Sequence, residues 1–296
     1  PPPPRGVRAW ERGYSGEYES GEVGKETNMA LQSLYTAASG MDALQTKLDV
    51  IANNMANVNT TAFKKDRCNF EDVFYRQYRL PGAQDSDGNK TSTGIEVGLG
   101  TRVSSTQTNV KQGAFETTNN QLDWAIEGDG YFQLQNPEGG LLYTRAGNFG
   151  LNSTGQIVVG SAINGYVLDP SMDIPPEATG IVVSTDGLVQ YTTANDPNLQ
   201  IAGQIQLAKF INPQGLIKLG DNLYQQTDAS GDPVPSNPGS QGYGNIRQGY
   251  LEASNVEPVT ELIDLITTQR AFELNSQIVQ AGDQVLQLVA NLRRLG

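Results

Sequence analysis

Histidine is missing from this chain altogether, and cysteine occurs once in 296 residues. The first absence removes Ser-His-Asp and Cys-His nucleophile arrangements, imidazole acid/base chemistry and imidazole metal ligation together. The second leaves Cys68 unable to form an internal disulfide or a multi-thiolate zinc site. Lys65 and Arg67 flank it, charges that lower a thiol pKa, but a lone thiol is more often packed and inert. Basic residues are also few: 20 Lys and Arg against 32 Asp and Glu leave a net charge of −12. That balance argues against nucleic acid as a partner, because binding its phosphates needs clustered bases. The one basic run, Lys64, Lys65 and Arg67, is broken by Asp66 and diluted by Glu71 and Asp72, and is expected to be a solvated helix end. Long apolar runs are missing too. No stretch of eighteen apolar residues offers a membrane span, so no membrane insertion is expected, and the N-terminus lacks the apolar centre of a cleaved signal peptide. Any catalysis would rest on carboxylates, and no pair of them stands out. The chain is therefore expected to be no enzyme, with no catalytic residue, cofactor or metal.

What is present is heptad order at the two ends. Between residues 31 and 58, Leu34, Met41, Leu48 and Met55 recur by sevens, and Ala37, Leu44, Ile51 and Val58 follow three positions later. Both series fall on one side of a helix, an apolar stripe about 120° wide. Between 259 and 295 four series repeat: Leu265, Phe272, Val279, Leu286; Ala271, Ile278, Val285, Leu292; Leu274, Ala281, Leu288, Leu295; and the weaker Thr268, Asn275, Gly282, Val289. Together they cover roughly 160°, more than a two-stranded seam needs, so one partner helix would not cover that face. Helices of this kind usually pack inside one domain. Here the lengths, about 42 and 55 Å at 1.5 Å per residue, and the scarcity of charge favour burial among neighbouring subunits. Residues 29–62 carry only Asp42, Lys47 and Asp49 as charged side chains.

The middle of the chain has a different texture. From about 101 to 250, alternating apolar residues, many Thr and Val, and frequent turn signals predict strands. Three segments, Ser153-Thr154-Gly155-Gln156-Ile157-Val158, Thr185-Asp186-Gly187-Leu188-Val189 and Pro213-Gln214-Gly215-Leu216-Ile217, each place glycine before an aliphatic pair and each predict a hairpin. The expected fold is α+β: long N- and C-terminal helices packed as a coiled-coil-like pair, with a central antiparallel all-β body. The expected division is a disordered leader or extension at 1–28, a terminal helical assembly domain of 29–62 plus 255–296, a connecting extended arm of 63–100 plus 246–254, and a β-rich body at 101–245. The first helix should end in the asparagine-rich stretch Asn53, Asn54, Asn57, Asn59. Phe70 to Tyr78 predicts a short amphipathic helix, and 81–100 a polar loop or arm. Asp85, Asp87, Asn89 and Glu96 have the spacing of a calcium loop, but Lys90 stands where the sharp turn needs glycine, and a plain polar loop is the expected reading.

Two runs at the ends carry a resemblance. Ser39-Gly40-Met41 with Leu48-Asp49-Val50-Ile51-Ala52-Asn53-Asn54-Met55-Ala56-Asn57-Val58-Asn59-Thr60, and Leu251-Glu252-Ala253-Ser254-Asn255-Val256 with Thr268-Gln269-Arg270-Ala271-Phe272-Glu273-Leu274-Asn275-Ser276, are similar to the terminal signatures of the axial rod and hook proteins of the bacterial flagellum. The resemblance covers essentially Met29 to Gly296. Leu80-Pro81-Gly82-Ala83-Gln84 and Ser92-Thr93-Gly94-Ile95-Glu96-Val97-Gly98-Leu99-Gly100-Thr101-Arg102 resemble the distal-rod branch more than proximal-rod or hook members.

The resemblance implies a structural subunit of the rod that crosses the periplasm within the flagellar basal body, self-assembling as a helical homopolymer. Its implied partners are the proximal rod and hook-side axial proteins, the surrounding basal-body ring proteins and the flagellar type III export apparatus, which exports such subunits without a cleaved signal peptide. The expected assembly interface comprises Leu34, Met41, Leu44, Leu48, Ile51, Met55, Leu265, Phe272, Leu274, Ile278, Val279, Val285, Leu286, Leu288 and Leu292. Phe70 and Phe74 resemble the segment by which the export gate recognises rod and hook substrates. A rival of another class is a secreted carbohydrate-binding or carbohydrate-active β protein with a helical oligomerisation stalk, in which Trp124 and tyrosines would face the glycan.

Overall fold

The computed structural model describes residues 15–82, 84, 90, 92–137, 139–160, 165–194, 196, 198–240 and 242–295, without the side chains of 15–30 and 292–295. The chain forms two compact units, one of residues 1–50, 68–106 and 263–296, the other of residues 51–67 and 107–262. The last turn of the first helix and the first turn of the second belong with the β body, because both are hydrogen-bonded into it.

Helix α1 runs Ser15–Ala56 and helix α2 Pro258–Leu295. The expected leader thus falls in two parts: residues 1–14 lie outside the described residues, and 15–28 continue α1 upstream of Met29. The end of α1 is where the asparagines predict it, with the Asn57 amide donating to the carbonyls of Asn53 and Asn54 at 3.2 Å. Proline opens α2 and Glu261 lies in its first turn, both suited to a helix start, where no backbone partner is lost and the dipole favours an acid.

In the first unit the helices meet antiparallel at two small-residue positions. A Cβ on Gly40 would stand 3.0 Å from the Asn275 side-chain nitrogen, and one on Gly282 would stand 2.7 Å from Leu34 Cδ2. Beside them a two-stranded antiparallel ladder joins Tyr75–Arg79 to Ile95–Gly98, with Tyr75 opposite Gly98 and Arg76 opposite Val97. Strand Asp66–Asp72 pairs with Thr101–Thr108. The short helix expected over 70–78 is therefore absent, and extended chain takes its place. Val73, Phe74, Tyr75 and Tyr78 favour a pleated surface, and the Val73 amide donates to the Gly100 carbonyl at 3.0 Å. Part of the predicted 81–100 loop is likewise strand. Asp85, Asp87 and Asn89 of the calcium-like spacing lie outside the described residues.

The second unit is the β body, and all its described ladders are antiparallel. Its nine-stranded sheet is built around Tyr131–Gln135, flanked by Leu141–Thr144 on one side and by Val167–Asp169 and Leu207–Lys209 on the other. Side chains alternate across a strand. Phe132 and Leu134 thus enter a large apolar core with Trp124, Phe149, Ile157 and Leu168, while Tyr131 joins Tyr143, Phe210 and Tyr224 in a second cluster. Trp124 and Phe132 both stack on Phe149 with centroids 5.0 Å away. Trp124 is fully buried, which removes it as the glycan-facing aromatic of the rival reading. A three-stranded sheet, Ala178–Val183, Leu188–Thr193 and Gln200–Gln204, packs Ile181, Val183 and Val189 on the same core.

Two of the three predicted hairpins form, at Gly155 (φ +84°) and Gly187 (φ +79°), where a tight turn needs the left-handed backbone that glycine adopts without strain. The third does not. Leu207–Lys209 pairs instead with Tyr131–Phe132 and with Val234–Ser236, Ile217–Gly220 pairs with Leu223–Gln225, and a 3-10 turn at Pro213–Gly215 stands between them. Leu207 and Ala208 are fully buried, so core burial outweighs local turn chemistry there.

Backbone packing at Trp124 gives a direct check. A Cβ on Gly147 would lie 1.5 Å from the Trp124 carbonyl oxygen, whereas nothing lies within 4 Å of one on Gly150. Gly147→Ala should destabilise the body by about 3 kcal/mol or more, and Gly150→Ala should stay within about 0.5 kcal/mol of wild type, measured by urea unfolding followed through Trp124 fluorescence.

Candidate assembly face and helix roots

Within the β body, Glu252 ends strand Tyr250–Glu252 and is 1% exposed. Its Oε1 accepts from Lys64 Nζ at 2.5 Å and from the Gly113 amide at 2.9 Å, and its Oε2 accepts from Arg145 Nε at 2.8 Å. Arg145 donates its remaining nitrogens to the carbonyls of Gly130, Ile126 and Gly128, and Lys64 donates also to Lys111. Three buried charges are tolerable only because each is paired and hydrogen-bonded. Burial pushes the Glu252 carboxyl upward, but the charges of Arg145 and Lys64 and their hydrogen bonds outweigh it and hold the pKa below the ordinary 4.5. Lys64 shifts below its ordinary 10.5, through burial first, with Glu252 opposing and Arg145 adding to the fall. The expected solvated helix end is thus corrected: Lys64 is 3% exposed, because Glu252 and Arg145 lie too far along the chain for local sequence to reveal them.

The roots of the two helices join the same unit through amides. Asn54, 2% exposed, donates from Nδ2 to the Asp66 carbonyl (2.9 Å) and to Glu261 Oε2 (3.2 Å), while its Oδ1 accepts from the Asp66 amide (3.0 Å). Its carboxamide therefore pairs, as a neighbouring strand would, with both backbone groups of one residue. Glu261 Oε1 accepts from Lys65 Nζ at 3.1 Å. Asn255 works similarly, accepting from the Lys65 amide and donating to the carbonyls of Asn109 and Lys111. Lys218 Nζ reaches both oxygens of Asp66 at 2.8 Å. In the sequence Glu252 and Asn255 stand out only as parts of an end motif, and Asn54 only as one of the asparagines that end the first helix. The available signal was the pair Lys64-Lys65 just after the first helix and the acids Glu252 and Glu261 around the start of the second.

The residues predicted for assembly divide into two sets. On α1, Leu34, Met41, Leu44, Leu48 and Met55 are half-buried and Ile51 is buried. On α2, Leu265, Phe272, Val279 and Leu286 are half-buried, beside Thr268, Asn275, Gly282 and Val289. Leu274 (59%), Ile278 (49%), Val285 (50%) and Leu288 (64%) are exposed. The side chain of Leu292 lies outside the described residues. Phe70 is 41% and Phe74 84% exposed, in extended chain rather than on one helix face. Beside this open face, in the first unit, lies a groove of about 680 Å³ lined by Gln32, Thr36, Ala37, Tyr78, Val97 and Ile278 among others.

Long helices rooted in a β body by a buried amide and the Lys65–Glu261 ion pair, with one apolar stripe uncovered, fit a structural class of protein. Residues 34–64 match the family described as Flagella basal body rod protein, residues 125–191 the Flagellar hook protein FlgE/F/G D1 domain, and residues 247–292 the Flagellar basal body rod FlgEFG protein C-terminal. The flagellar basal-body rod protein FlgG of Caulobacter vibrioides is 46% identical over 264 residues, covering 89% of this chain and 100% of the relative. Its namesake in Buchnera aphidicola subsp. Schizaphis graminum is 41% identical, covering 88% and 100%, and that of Bacillus subtilis 40%, covering 89% and 100%. The chain belongs to the flagellar basal-body rod protein family. It is a structural component of the flagellar basal body and not an enzyme.

Glu252 yields an acid-stability expectation. Its folded pKa lies below the unfolded value, so the unfolded chain binds the proton first, and the stabilisation is complete above about pH 4.5 and lost as pH falls through the folded pKa. Glu252→Gln leaves Lys64 and Arg145 buried without a carboxylate and should cost about 3–5 kcal/mol near neutral pH. The gap to wild type should narrow below pH 4.5, as urea unfolding at a series of pH values would show.

Proposed function

We propose that the chain is a distal rod subunit that polymerises with copies of itself, through its terminal helices, into the hollow shaft that crosses the periplasm and carries torque to the hook. The observation that carries this reading is the uncovered aliphatic stripe of α2 within the first unit, from Ile263 through Leu274, Val285 and Leu288, all at least half exposed. Such a stripe spans about 38 Å at 1.5 Å per residue, far more than the scattered apolar residues normal on a monomer. The helix pair as a coiled-coil-like assembly domain, with the β body carried as a separate folded unit, belongs to this reading. So do contacts with proximal rod and hook-side axial proteins and with the surrounding ring proteins, which the family of the relatives supports.

Substituting Leu274 and Leu288 with Asp should abolish filament formation by purified protein and swimming in cells, while the Trp124-reported unfolding of the body stays within about 0.5 kcal/mol of wild type, as for exposed sites generally. Filaments of normal length from this variant would refute the reading.

The same proposal assigns Phe70 and Phe74 to recognition by the type III export apparatus. Their exposure in extended chain supports a docking role through strand-like contacts rather than a helix face. Phe70→Ala with Phe74→Ala should lower secretion into the medium while leaving the cytoplasmic level of the protein intact; secretion at the wild-type rate would remove the assignment.

A further inference from the structure

Neither apolar core cluster of the β body contains a residue of α1 or α2. Where they enter this body, Ile51 of α1 is buried, and a hydrogen bond between two polar residues links the helices directly. Asn54, in the last turn of α1, donates to Glu261, in the first turn of α2, across 207 residues of sequence. Both are nearly inaccessible, at 2% and 4%. Every side-chain polar atom of the pair is committed: the Asn54 amide holds the N–H and the carbonyl of Asp66, and the second Glu261 oxygen takes Lys65. A buried donor–acceptor pair with no slack fixes a geometry more firmly than apolar packing does, because any displacement leaves a polar group unsatisfied.

We propose that Asn54 and Glu261 are positioning residues for assembly, clamping the last turn of α1 to the first turn of α2 so that an incoming copy meets the two helices as one surface. The inference rests on the self-assembly proposed above. It assigns the clamp a task separate from that of Glu252, which ties strands and loops of the body together and touches neither helix. The asymmetry of the pair also predicts which substitutions fail. Asn54→Asp keeps size and shape but sets a carboxylate against Glu261 and loses the donor to Asp66. Pairing it with Glu261→Gln restores a donor facing an acceptor between the two residues, with the direction reversed, and leaves Lys65 a carboxylate to neutralise, while the Asp66 carbonyl stays without its donor.

The test uses the full chain in two arms. Hydrogen exchange on dilute monomer should show faster exchange at 51–56 and 259–264 in Asn54→Asp, with strand 131–135 unchanged. The concentration at which filaments form should rise about tenfold or more in Asn54→Asp, rise less in Glu261→Gln, and in the double variant fall back below that of Asn54→Asp without reaching wild type, as expected for directly coupled residues when the Asp66 contact stays broken. Equal filament thresholds in wild type and Asn54→Asp would overturn the clamp, as would a double variant no better than the worse single one. Uniform loss of protection across the body strands in both Asn54→Asp and Glu261→Ala would also overturn it, making the pair an ordinary part of the fold. Wild-type protein that forms no filaments would refute self-assembly instead, and the monomer exchange arm would still judge the clamp.

Discussion

One buried carboxylate organises the centre of the β body. Glu252 takes Lys64 from the segment after α1, the Gly113 amide from the approach to strand Phe115–Thr117, and Arg145 from the end of strand Leu141–Thr144. Arg145 in turn gathers the three carbonyls around the turn at Gly128 and Gly130. Segments separated by 188 and 107 residues are thereby fixed to one point. An apolar cluster of similar volume would supply comparable free energy, since desolvating three charges consumes most of what their attraction returns. What the ionic centre adds is direction: each partner is accepted at one atom, from one side.

The helices follow a different rule. Where α1 and α2 meet, Gly40 lies against Asn275 and Gly282 against Leu34, and the two glycines allow close approach. Leu265, Phe272, Val279 and Leu286 of α2 are half-buried, whereas Leu274, Ile278, Val285 and Leu288 remain exposed. A pair built this way gains modest stability from its own contact, because helical stability comes mainly from tertiary burial. On the proposed reading the missing burial comes from neighbouring copies. This division of labour suits a subunit that must stay single until it reaches its place and then join firmly.

How much of this was legible differs by element. Heptad spacing located both helices, the α2 end to within a residue, and Asn53 to Asn57 marked where α1 stops. Gly155 and Gly187 marked real hairpins. At Pro213 to Leu216 the same local pattern failed, because the burial of Leu207 and Ala208 drew the preceding strand to Tyr131 and Phe132. Phe70 to Tyr78 shows the matching error in the other direction, an i,i+4 aromatic spacing that extended chain satisfies equally well. Which α2 positions come closest to α1 was also hidden: Asn275 and Gly282, from the least apolar of the four series, lie against Gly40 and Leu34, where close approach depends on size rather than hydrophobicity.

The sequence alone therefore determined what depends on neighbours a few residues apart: the helical periods and their low charge, the strand-rich middle, the absence of imidazole chemistry, and the end motifs that carry the family resemblance. Tertiary structure decided what depends on residues far apart in the chain. That set includes the burial of Lys64, the meeting of Arg145 with Glu252, the use of Asn54 as a strand partner for Asp66, and the link from Asn54 to Glu261. The reason is physical. A repeat in sequence reports the geometry of one element, whereas an ion pair or a buried amide reports two elements whose approach is set by all the packing between them.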